Sequence, residues 1–120
     1  PTHPQMVTFT LSLNQQEFRP LDQFRLSGRL TGGPYDTTVD LYIVLDVYSQ
    51  YYFYPSWEQE ITFARIEIEH YWDVTLDIFN FAWPRNVGQA SGLWFYGIIC
   101  EPGTYNLVAN YSSIAFSYGE

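Results

Sequence analysis

Lysine is missing from this 120-residue chain, cysteine and methionine occur once each, and histidine occurs twice. Without lysine, 13 acidic side chains meet only five arginines, for a formal charge of -8 and a pI near 4.4. No basic face or stripe is available to a phosphate backbone, so nucleic-acid binding is not expected. An anionic membrane surface is disfavoured for the same reason. No apolar run is long enough to cross a bilayer, so no membrane insertion is expected. The single cysteine, Cys100, excludes an internal disulfide framework and a multi-cysteine zinc site. Its Gly97-Ile-Ile-Cys context predicts a buried, inert thiol, with an intermolecular bridge as the alternative. His3 and His70 are too few for a metal cluster. A free Pro1-Thr2-His3 terminus offers only a generic copper chelate. No Ser-His-Asp order, Gly-rich phosphate loop or Cys-His pair is present, so neither a cofactor nor an enzymatic activity is expected. The chain starts at Pro1 with no charged-then-apolar leader, as a mature secreted chain or a cut-out domain would.

What the sequence holds in abundance is aromatic: 11 Tyr, 9 Phe and 4 Trp, 20% of all residues. Such side chains fit a pleated, half-buried surface. Apolar residues recur at every second position, the period of a strand with one face on a core. In residues 6–13 the set Val7, Phe9, Leu11 and Leu13 alternates with Thr8, Thr10 and Ser12. After a turn at Arg19-Pro-Leu-Asp22, Phe24, Leu26, Gly28 and Leu30 share one face. Beyond the turn cluster 31–36, Val39, Leu41, Ile43, Leu45 and Val47 mark a central strand. The short segment 51–54 ends at Pro55, as an edge strand does. Two changes of phase, at Ala64-Arg65 and at Ile78-Phe79, predict a bulge or a break. Residues 93–100 read as a strand, Glu101-Pro-Gly-Thr104 as a type II turn, and 105–111 as the hairpin partner, with 112–118 continuing or closing the sheet.

Short strands with turns every 8 to 12 residues or so describe an all-β, two-sheet sandwich of seven to eight strands in one domain, preceded by a short arm at 1–5. A jelly roll or small barrel is the nearest competitor. Three stretches carry a family likeness: Leu11-Ser-Leu-Asn with Phe18-Arg-Pro-Leu-Asp22 and the following Phe-Arg-Leu-Ser-Gly; Asp40-Leu-Tyr-Ile-Val-Leu; and Pro102-Gly-Thr-Tyr-Asn-Leu-Val-Ala. Together they resemble immunoglobulin-like modules of bacterial secreted and cell-surface proteins. In those modules Gly is commoner at the position of Leu21. The resemblance implies a non-enzymatic spacer, adhesion or assembly module that is extracellular or at the cell surface.

The candidate binding residues are aromatic. With Tyr51 and Phe53 on the core, alternation turns Tyr52 and Tyr54 outward. The central strand sends out Asp40, Tyr42, Val44, Asp46 and Tyr48. Residues 93–99 are apolar on both faces, with Trp94, Tyr96 and Ile98 on the outer one, and such a sheet needs a cover on both sides. That cover is supplied by the chain's own loops, by copies of itself or neighbouring domains in a filament or surface assembly, or by a carbohydrate stacked on the rings. Tyr52, Tyr54 and Trp57 form the expected sugar platform. The acidic pairs Glu58/Glu60, Glu67/Glu69 and Asp73/Asp77 read as solvated outer faces. Asn110-Tyr-Ser112 is a glycosylation sequon.

Overall fold

A computed structural model describes residues 7–109 and 111–119. The arm at 1–5, with His3, and Asn110 of the sequon lie outside the described residues. Nine strands and no helix occur among those described: β1 (Thr8–Leu13), β2 (Glu17–Phe18), β3 (Gln23–Thr31), β4 (Thr37–Val47), β5 (Gln50–Phe53), β6 (Ala64–Ile68), β7 (Asp73–Ala82), β8 (Ala90–Cys100) and β9 (Ser112–Tyr118). They form two packed sheets, one ordered β1-β3-β7 and the other β2-β9-β8-β4-β5, with β6 also on β4. Strand β4 is 11 residues long, so β6 pairs with its first half and β5 with its second. That shared edge, and the two-residue β2 lying parallel to β9, raise the count above seven or eight.

The alternating residues do what their period requires. Phe9, Leu11, Phe24, Leu26, Leu30, Val39, Leu41, Ile43, Leu93, Phe95, Ile99 and Phe116 join one buried cluster between the sheets. Its lower end is largely aromatic: Phe24 stacks on Phe81 at 5.1 Å and tilts against Phe18 at 4.8 Å, and Trp83 covers both. Gly28 and Gly97 face each other across the core with the Phe9 ring between them. A Cβ at either position would lie within 2.5 Å of that ring.

Both phase changes are real, with different causes. Opposite Leu26 and Ser27, strand β7 carries Ile78 as an extra residue, a β-bulge that shifts the inward set from Val74 and Leu76 to Phe79 and Phe81. At Ala64 the chain breaks instead: β6 begins there, and Ile61 and Phe63 belong to the loop before it.

Two expectations need correction. Residues 105–111 are not the hairpin partner of β8. Pairing starts as an isolated bridge between Cys100 and Leu107, stops, and resumes as β9 from Ser112, opposite Gly97. The facing of β5 is also the reverse of that expected. Val47 pairs with Gln50 across a two-residue turn, in which Tyr48 and Ser49 both have positive φ (50° and 69°). A primed hairpin turn of this kind fixes the register. Leu45 then lies opposite Tyr52, and Val44 opposite Phe53. Tyr51 and Phe53 therefore share the outer face, while Tyr52 and Tyr54 point to the core side.

Candidate functional site

The two outer faces of the sandwich differ in chemistry. On the three-stranded sheet the outward residues are Thr8, Thr10 and Ser12 on β1, Arg25 and Arg29 on β3, and Asp73, Thr75 and Asp77 on β7, most of them exposed. Arg29 pairs there with Asp73 at 2.6 Å across 62% and 52% exposed side chains, so the pair adds little to stability. This is the solvated face expected of Asp73 and Asp77.

The outer face of the larger sheet is apolar, and strand register sets it out in rows. Trp94, Asp46 and Tyr51 lie side by side on β8, β4 and β5. The next row holds Tyr96, Val44 and Phe53, and the one after it Ile98 and Tyr42. The last row holds Cys100, Asp40 and, on β6, Arg65. The Trp94 and Tyr96 rings are parallel within 11° at 6.1 Å, and Tyr111 closes edge-on over Tyr96 at 6.3 Å. Burial first, and then the nearby Asp46, Tyr51 and Tyr111, push the Tyr96 hydroxyl above its ordinary pKa.

Part of the face is covered by the chain's own loops. Phe63 lies 5.3 Å from Tyr42, and Tyr105 lies 6.0 Å from it on the other side. Tyr42 is thereby reduced to 8% exposure, with Val44 and Cys100 buried beside it. The covering residues are themselves apolar and open to solvent, Tyr105 at 75%. An apolar trough of about 390 Å³ remains among Tyr42, Val44, Phe53, Ile61, Ile98, Cys100, Tyr105 and Leu107. Cys100 is the buried thiol expected, its pKa raised by burial and then by Asp40.

One polar device holds the loop cover in place. Asp40 is buried on β4 and accepts bonds from Arg65 Nε at 2.8 Å and Nη2 at 3.2 Å, and from the Gly103 N–H at 2.8 Å. The Arg65 bond holds its carboxyl below the usual carboxylate range against the opposing effect of burial. Gly103 occupies the positive-φ position (73°) of the expected type II turn, closed by the Thr104 N–H on the Glu101 carbonyl at 3.1 Å. Nothing in the alternation singles out Asp40 as buried. The hint was an acid opposite an arginine on a neighbouring strand, which requires the pairing to be known.

The remaining candidates lie elsewhere. Tyr54 and Trp57 pack inward, Trp57 against Phe79 at 4.8 Å and against Phe95. Tyr52 is half-buried on the same side, its hydroxyl 3.3 Å from Gln50. These three do not form an exposed platform. Tyr48 sits in the hairpin turn, where its hydroxyl accepts the Ser91 N–H at 3.1 Å. It borders a polar cleft of about 540 Å³ with Glu17, Arg19, Gln89 and Ser117.

Solved structures share this architecture over nearly the whole chain. The CARDB domain of a Pyrococcus furiosus protein, solved in complex with di-metal ions, superposes with a TM-score of 0.63 at 10% identity over 99% of this chain and 98% of its own. The chain has an immunoglobulin-like β-sandwich fold. Spo0M, a sporulation control protein from Bacillus subtilis, matches with a TM-score of 0.51 at 12% identity, over 95% of this chain and 49% of its own. A β-glucosidase from Listeria innocua in complex with glucose matches at 0.50 and 8% identity, over 96% of this chain but 16% of the enzyme. Neither a family of known sequences nor a curated protein matches this sequence. At these identities the likeness carries the fold alone. Among the described residues no group of three or more His, Cys, Asp or Glu comes together as a metal site.

Proposed function

We propose that this chain is a non-enzymatic structural module, extracellular or at the cell surface, that associates with copies of itself through the outer face of its larger sheet. The observation that carries this reading is the contrast between the two outer faces. One is polar, while the other exposes Tyr51, Ile61, Phe63, Trp94, Tyr105, Leu107 and Tyr111 around an apolar trough. An exposed apolar patch of this kind is the make-up of a protein interface. The loops that cover Tyr42 move the apolar surface outward without removing it. An acidic, lysine-free surface with a single thiol suits a location outside the cell.

Sedimentation velocity over a concentration series up to about 1 mM tests the reading. The wild type is expected to associate reversibly. Ile61→Ser with Leu107→Ser, both at exposed positions, should weaken that association about tenfold or more without moving the melting midpoint. A wild type that stays monomeric throughout would sink the proposal. A carbohydrate reading now rests only on the parallel Trp94 and Tyr96 rings, and a glycan array with Trp94→Ala as control decides it.

A further inference from the structure

Asp46 is the half-buried carboxylate set in the rows of the exposed apolar face, between Trp94 and Tyr51. Asp40 is matched by Arg65, Asp73 by Arg29 and Asp36 by His70. Asp46 makes no ion pair among the described residues. One oxygen accepts the Ser49 N–H at 2.9 Å, which fixes the carboxylate, and the other has no partner there. Register places Trp94 and Tyr51 on either side of it, on strands about 4.8 Å away. Tyr96 follows Trp94 two residues along the same face. Trp94 and Tyr51 are 38% and 46% exposed. A carboxylate between aromatic rings is suited to a cation, because the ring faces carry the negative end of their quadrupole. A planar guanidinium fits best: it stacks on the rings and keeps its edge donors for the carboxylate.

The same chain carries the complement. Arg19 and Arg85 are exposed, and neither makes an ion pair among the described residues. They belong to neighbouring loops, since the Leu21 N–H donates to the Trp83 carbonyl at 2.8 Å and the Trp83 N–H to the Asp22 carbonyl at 2.7 Å. In a chain of charge -8 these are among the few cations not already engaged. An apolar face alone would bring two acidic surfaces together. Matching these arginines to Asp46 sets the orientation and removes a like-charge penalty.

We propose that the corner formed by Asp46, Tyr51, Trp94 and Tyr96 receives an arginine, Arg19 or Arg85, of a second copy of this chain. The inference rests on the self-association reading above and adds the group that fills the corner. A mixing experiment tests it. Asp46→Asn with Trp94→Ser removes the corner, while Arg19→Ser with Arg85→Ser removes the arginines. The asparagine keeps an acceptor for Ser49, and the other three side chains are exposed, so both variants should fold. Each variant alone is expected to associate about tenfold or more weakly than wild type in sedimentation velocity. An equimolar mixture should recover mixed dimers, since one copy supplies the arginines and the other the corner. Wild-type association should also weaken as salt is raised. If the wild type associates but the arginine variant does so equally well, the arginine assignment is overturned and the docking face stands. If the mixture recovers nothing, the corner and the arginines do not meet, and the inference falls. A monomeric wild type overturns both readings.

Discussion

Leu21 has φ 74° in the turn Arg19-Pro-Leu-Asp22, closed by the Asp22 N–H on the Arg19 carbonyl at 3.0 Å. That position of a type II turn asks for glycine, and a leucine held there costs about 1–2 kcal/mol. Its side chain is 59% exposed and loses little if removed. Leu21→Gly should therefore raise stability by about 0.5–1 kcal/mol, the lower strain being offset partly by a more flexible unfolded chain. Chemical denaturation at neutral pH reads this directly. Asp40 works in the opposite sense. Asp40→Asn leaves its cluster of three donors without a charge, and a loss of about 2 kcal/mol is expected at pH 7. Because Arg65 depresses the folded-state pKa of Asp40, its contribution is complete above the unfolded carboxylate value, about 3.9, and is lost as pH falls through the folded value. The gap in stability between wild type and Asp40→Asn should accordingly close below about pH 4. A gap that persists unchanged into strong acid would mean that the charge on Asp40 contributes nothing.

At the scale of the strand, the Phe9 ring joins the sheets by filling the space that Gly28 and Gly97 leave. Gly97→Ala places a methyl against that ring, and overpacking of this kind costs about 1–3 kcal/mol. Combining it with Phe9→Leu should cost less than the sum of the two single changes, which thermal denaturation of the four proteins in a double-mutant cycle would measure. Period-two patterning made the inward sets of β1, β3, β4 and β7 legible, and the phase change at Ile78 marked its bulge. It could not orient β5. Tyr48-Ser49 carries none of the Asn-Gly or Asp-Gly chemistry that marks a primed turn, yet that turn decides which tyrosines face out. The stretch after the type II turn misled for the reverse reason: Tyr105, Leu107 and Ala109 alternate like a strand, but only a single bridge, Leu107 to Cys100, forms before β9, and Tyr105 packs on Tyr42 instead. Of the candidate residues, Trp94 and Tyr96 are on the outer face as read, Tyr42 is there under cover, and Tyr54 and Trp57 belong to the core. The Asp46 corner depends on three strands in register and was beyond the reach of any single segment.

On the scale of the molecule, the sandwich is long and narrow, 54 × 26 × 20 Å, with one polar outer face and one that exposes apolar side chains. Such a body has two ways to meet its copies: face on face, or strand beside strand at an open edge. Among the described residues strand β7 pairs with β3 alone, so about every second one of its ten residues turns its backbone N–H and C=O to the open side. A row of that length is a template for unlimited sheet growth. The extra residue at Ile78 breaks it: the strand bends and twists there, and a straight incoming strand keeps its pairing on one half only. One residue too many in β7 thus cuts short the stretch over which this edge could template another strand.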